Sequence, residues 1–79
     1  MEKYSDDSIE EFYKLIGQNV KKYRIEKNMT QLELTHEMGL KSVSLVSAAE
    51  LYTNKTHFNI EHLHKISRIL EIDICKLMN

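Results

Sequence analysis

The sequence contains no proline and only two glycines, so little in it forces a helix to break. It also lacks the strict alternation of apolar and polar residues that marks half-buried strands, which leaves helices joined by short turns. A single cysteine, Cys75, excludes an internal disulfide and fits a reducing compartment, where it is expected as a small core hydrophobe. No apolar run approaches the roughly 18 residues that would cross a bilayer, and the opening Met-Glu-Lys-Tyr-Ser-Asp-Asp is polar and acidic rather than a secretory signal. A cytoplasmic protein is the expectation. Catalytic and metal motifs are lacking too. His36, His57, His62 and His64 do not share a helical face, no nucleophile motif orders the serines, and no glycine loop cradles phosphate. The chain is therefore read as no enzyme, without cofactor or metal.

The charge balance shows no basic excess. Eleven basic and 12 acidic side chains give a net charge of −1, a poor footprint for a nucleic-acid partner. Its distribution says more than its sum. Residues 1–11 hold Glu2, Asp6, Asp7, Glu10 and Glu11 against Lys3 alone, so the other 68 residues carry 10 positive and 7 negative charges, a body of +3. Residues 14–27, with Lys14, Lys21, Lys22, Arg24 and Lys27 against Glu26, are the most basic stretch, which a solvated helix face would also explain.

Seventy-nine residues fit one core, and a chain this small buries only about 60% of its unfolded surface. Residues 1–8 read as an acidic N-terminal extension and 9–79 as the domain. Ile9, Phe12, Tyr13, Ile16, Val20 and Tyr23 recur at steps of three and four, predicting a first helix over about 7–27 with Asp6, Asp7 or Ser8 as its cap. Asn28 suits the left-handed residue that ends a helix. Thr30-Gln31-Leu32-Glu33 then supplies a capping box for a second helix, buried through Leu34 and Met38 with Leu32 as a further candidate, and stopping at Gly39. Lys41-Ser42-Val43-Ser44 offers caps for a third helix to about Leu51, with Leu45 or Val46 and Ala49 inward. A polar loop, Tyr52 to His57, leads to Asn59, the cap of a fourth helix whose Leu63, Ile66 and Leu70 form the buried row flanked by Ile60 and Ile69. Asp73 caps a short fifth helix ending in Leu77 and Met78.

"IGQNVKKYRIEKNMTQLEL", then "MGL", then Glu50, then "FNIEHLHKISRILEIDICKLM" resemble the five-helix, lambda-repressor-like helix-turn-helix domain of the Cro and repressor type, often called XRE-like. The resemblance covers about residues 16–78 and is most specific from Arg24 to Gly39. It implies an all-α fold. It also implies a structural ion pair between Arg24 and Glu50, which orients helices more reliably than it stabilises them. Gln31, at the start of the second helix, is implied to touch the DNA backbone and steady the third helix, which would enter a major groove about 12 Å wide. A merely solvated Gln31 is the plain alternative. Counting back from Glu50 puts the base-reading positions on Val43, Ser44 and Ala48, with Ser42 and Ser47 adjacent. The implied DNA-binding set is completed by Thr30, Lys41 and the Asn54 to His57 loop with Lys55.

Three departures from the family pattern stand out. One extra residue lies between Gly39 and Glu50, Thr35 replaces the usual alanine where two helices cross, and Leu51 and Tyr52 replace a basic residue and a glycine. None of the base-reading positions is Arg, Lys, Asn or Gln, the side chains that make bidentate base contacts worth about 1–3 kcal/mol each. The resemblance implies a DNA-binding transcriptional regulator, in first place a repressor acting as a homodimer on double-stranded DNA. Its dimer interface is expected at Ile72, Ile74, Leu77 and Met78, or at Leu15 and the N-terminal extension. The competing expectation is a protein-binding module, such as an antitoxin or accessory subunit, that keeps the fold and binds a toxin or another regulator.

Overall fold

The computed structural model describes residues 6–79 and is all-helical there. Its element order is α1 (Asp6–Glu26), α2 (Gln31–Glu37), α3 (Ser44–Leu51), a 3-10 turn (Thr53–Lys55), α4 (Ile60–Leu70) and a closing 3-10 turn (Ile74–Leu77). The expected fifth helix is thus a single tight turn, with Asp73 as its cap accepting from the Cys75 N–H at 2.9 Å. Helix α1 already includes Asp6, Asp7 and Ser8, so none of the three caps it, and the position before Asp6 lies outside the described residues. The helix runs through the expected boundary at residue 8 without a break.

Local chemistry explains the breaks between elements. Helix α1 ends as Met29 N–H reaches back to Arg24 O and Asn28 N–H to Ile25 O, with Asn28 at φ 59°. This pair of bonds satisfies carbonyls that the helix end would otherwise leave open. The same closure recurs after α2, where Leu40 N–H bonds Thr35 O and Gly39 takes φ 79°, and after α4, where Ile72 N–H bonds Ser67 O and Glu71 takes φ 58°. The capping box of α2 is complete, Thr30 Oγ1 accepting from Glu33 N–H and Glu33 Oε1 accepting from Thr30 N–H. Helix α4 has its own box, with a histidine in place of the usual acid: His62 Nδ1 accepts the Asn59 N–H at 3.1 Å.

The core joins Ile16 and Val20 of α1, Leu34 and Met38 of α2, Val46 and Ala49 of α3, Phe58, then Leu63, Ile66 and Leu70 of α4, and Leu77. Of the alternatives for α3, Val46 is sealed and Leu45 half-buried. Several expectations are overturned. Leu32 and Ile60 are exposed because each sits in a first turn whose inward positions are filled by Leu34 and Leu63. Cys75 is exposed and Leu77 is fully buried, since the short 3-10 turn sends Leu77 inward, leaving the C-terminal end less free apolar surface than its composition suggests. Asn19 clamps this turn to α1 by donating to both Leu77 O and Asn79 O at 3.0 Å.

Close approach of α1 and α3 depends on Gly17. A Cβ there would lie 2.4 Å from Ala49 O and 2.8 Å from Glu50 O, so any side chain would push α3 away. Thr35 fits its tight crossing because its buried hydroxyl donates to Gln31 O, four residues back in its own helix, at 2.7 Å.

Candidate nucleic-acid interface

Glu50 lies in the last turn of α3, and its carboxylate is wholly enclosed. Arg24 Nε donates to Oε2 at 2.7 Å and Arg24 Nη2 to Oε1 at 3.0 Å, a bidentate pair across α1 and α3. Arg24 Nη1 also donates to Met29 O at 2.7 Å, binding the turn between α1 and α2 into the same node. Gln31 Nε2 supplies the third donor, 3.0 Å from Glu50 Oε1. One carboxylate therefore fixes the mutual angle of α1, α2 and α3. A fork-shaped donor suits this task because its planar N–H groups match both carboxylate oxygens at once.

The node supplies the partner, Glu50, through which Gln31 steadies the third helix. Gln31 is half-buried, with its amide nitrogen committed to Glu50. Thr30 is exposed, but its hydroxyl is engaged in the capping box. These two side chains hold the start of α2 in place.

The outer face of helix α3 runs along Ser44, Ser47, Ala48 and Leu51, positions spaced three, four and seven residues apart, with Ser44 and Leu51 exposed and Ser47 and Ala48 half-buried. Val46, Ala49 and Glu50 occupy the opposite face. Leu51 is 69% exposed at the end of this stripe, and residue-by-residue matching to a family pattern missed it, whereas helical periodicity alone finds it. At the other end, Val43 holds the cap position without a side-chain acceptor. Ser42 Oγ instead accepts from Ser44 N–H at 3.1 Å and shares a 2.8 Å hydrogen bond with the Ser44 hydroxyl.

Cations flank α3 at both ends. Lys41 is exposed in the turn before it, and Lys55 with Asn54 is exposed in the 3-10 turn after it, both of the latter at positive φ. Lys14 reaches this end from α1, with its Nζ 6.0 Å from the centre of the Tyr52 ring. Tyr52 takes φ 59°, the conformation a glycine would adopt more easily, and is held there by ring packing: Tyr13 stacks on Tyr52 at 6.0 Å and on His57 at 3.8 Å. The Tyr52 hydroxyl is pushed above the usual phenol range by burial, with Glu10 adding to the effect. Among the described residues no group of His, Cys, Asp and Glu is placed to hold a metal ion, and no helix is long and apolar enough to cross a membrane.

A helix-turn-helix family model of the XRE type matches residues 20–77. The chain belongs to that family. It is thereby a helix-turn-helix domain of a class of DNA-binding regulators, with α2 and α3 as the paired helices. None of the curated proteins matches the chain.

Proposed function

We propose that the protein is a transcriptional repressor that binds a partly palindromic operator as a homodimer, with α3 of each copy in a major groove. The observation that carries this reading is the three-donor node on Glu50, which fixes α3 relative to α2 and turns the Ser44-Ser47-Ala48-Leu51 face away from the core, exposed at Ser44 and Leu51. Lys41 before α3, and Lys55 and Lys14 after it, would meet phosphates on either side of the groove, and the serine hydroxyls and the Val43, Ala48 and Leu51 side chains would meet base edges and thymine methyls. Because this face has no bidentate side chain, discrimination draws on DNA shape and on the fixed spacing of two half-sites, about one helical turn apart.

The second reading, a protein-binding module of the antitoxin or accessory type, is favoured by the same face: uncharged, small and ending in an exposed leucine. Fluorescence anisotropy on the gene's own promoter and on a scrambled duplex, at two salt concentrations, separates the two. A repressor binds the promoter more tightly and loses affinity steeply with salt as counterions are released. Equal and negligible binding to both duplexes at low salt would exclude DNA recognition.

Gln31 enters this proposal as a positioning residue. Gln31→Ala is expected to lower the thermal midpoint as well as DNA affinity, because it removes one donor from a buried carboxylate, a loss of about 1–3 kcal/mol. An unchanged midpoint with weakened binding would return Gln31 to the phosphate-contact role.

A further inference from the structure

The turn after α3 is held in a backbone conformation that its residues do not favour. Tyr52, Asn54 and Lys55 take φ 59°, 53° and 62°, the left-handed region that asparagine tolerates and that tyrosine or lysine seldom adopts. Such conformations persist only where the surroundings enforce them. The backbone of the turn does little of that: Lys55 N–H reaches Tyr52 O at 3.3 Å and Tyr52 N–H reaches Ala49 O at 3.4 Å, both long for backbone hydrogen bonds. Asn54 and Lys55 are exposed, and among the described residues no hydrogen bond or ion pair occupies either side chain.

Support comes from a part of α1 that the family match does not reach. The match begins at residue 20, whereas α1 begins at Asp6 and carries Tyr13 and Lys14. One turn further on, the close approach at Gly17 seats α1 against Ala49 and Glu50, which brings Tyr13 to the C-terminal end of α3. The Tyr13 ring stacks on Tyr52 at 6.0 Å and 23°, and on His57 at 3.8 Å and 8°. It therefore grips both stems of the turn, just before Thr53 and just after Thr56. Lys14 Nζ, 6.0 Å from the centre of the Tyr52 ring, adds a second contact from α1 to the first stem.

Resting on the DNA-binding reading above, we propose that Tyr13 is a positioning residue for DNA, whose ring presets the turn so that Asn54 and Lys55 meet the phosphate backbone beside α3. Tyr13 touches no DNA itself. The free N–H groups of Asn54 and Lys55 suit phosphate oxygens, and a turn ordered before binding loses less freedom on contact, so affinity rises without a new contact.

Fluorescence anisotropy on the promoter duplex across a range of salt concentrations tests this in the full chain, with circular dichroism setting a temperature at which every variant is folded. Tyr13→Ala is expected to raise the dissociation constant about fivefold to tenfold and to lower the slope of log affinity against log salt by about one, as loss of a phosphate contact requires. Tyr13→Phe keeps the ring and is expected to bind as the parent does. In a chain already carrying Asn54→Ala and Lys55→Gln, Tyr13→Ala is expected to change affinity by less than about twofold, because the groups it acts through are gone. Amide hydrogen exchange supplies a readout without DNA: Tyr13→Ala is expected to speed exchange at Lys55 and Thr56 several-fold more than at Ile66 in the core. With a parent that binds the promoter, unchanged affinity in Tyr13→Ala, an equal loss in Tyr13→Phe, or a loss that persists without Asn54 and Lys55 overturns the inference alone. Exchange that speeds equally at all these amides overturns the grip on the turn. A parent that binds no duplex defeats the repressor reading, and the DNA role of Tyr13 with it.

Discussion

Ile9 and Ile16 are the same residue on the same face of α1, seven positions apart, and they live in different surroundings. Ile16 is 3% exposed within the buried core, and Ile9 is 47% exposed on the edge of a groove. The C-terminal half of α1 is locked by Gly17 against α3, Asn19 against the closing turn and Arg24 against Glu50. The N-terminal half has Tyr13 stacked on His57 and Tyr52, and beyond it an apolar edge open to solvent. A helical stripe therefore declares which face avoids water. It does not declare whether the chain itself covers that face.

The largest expected effect lies in the locked half. Arg24→Ala leaves an enclosed carboxylate without its main partner and should cost about 3–5 kcal/mol in urea unfolding, whereas joint replacement of Arg24 by Met and Glu50 by Leu should recover most of that loss. Equal damage from the single and double changes would show that the pair stabilises rather than orients.

Truncation along the stripe sharpens the contrast. Ile16→Ala is expected to cost about 2–5 kcal/mol, and Ile9→Ala no more than about 0.5 kcal/mol in the monomer. If the two losses were similar, the N-terminal half would have to be packed as tightly as the rest.

Gly17→Ala tests the close approach itself. In an open helix this change would add about 0.5–1 kcal/mol of stability, but here the added methyl meets two backbone carbonyls that have no rotamer to change. A net loss of about 1–3 kcal/mol is expected. Any gain in thermal midpoint would mean that α3 can move off α1 cheaply.

The smallest effect is on pH. Burial holds the His62 imidazole below its ordinary range, with Lys65 and His57 adding to the shift and Glu61 opposing it, and its Nδ1 must stay unprotonated to accept the Asn59 N–H. With the native value lower than the unfolded one, the unfolded chain binds more protons as acid is added. Stability is therefore lost as pH falls through about 6.5, and levels off once the native imidazole is also protonated. His62→Gln should flatten this slope in thermal melts between pH 8 and 5, and an unchanged slope would assign it to another histidine.

Much of the local structure was legible because it rests on near neighbours. Asn28, Gly39, the Thr30–Glu33 box and the Asn59 cap act over a few residues, and their residue types announce them. The Arg24–Glu50 pairing could be named only through resemblance to a family, since 26 residues separate the partners and no spacing rule joins them. The commitment of Gln31 to Glu50 was hidden for the same reason. Leu32, Ile60 and Cys75 were misplaced because an apolar side chain near a helix start or in a short turn has no periodicity long enough to show its face.

The sequence by itself determined where the chain turns helical and where it stops, because caps, left-handed residues and periodic stripes are properties of segments a few residues long. Only the tertiary structure decided that Gly17 seats α3 against α1, that one carboxylate holds three helices, and that Ile9, Phe12 and Ile60 stay uncovered. Those outcomes depend on which distant surfaces meet, and burial is settled by the whole packed core rather than by any one stretch of it.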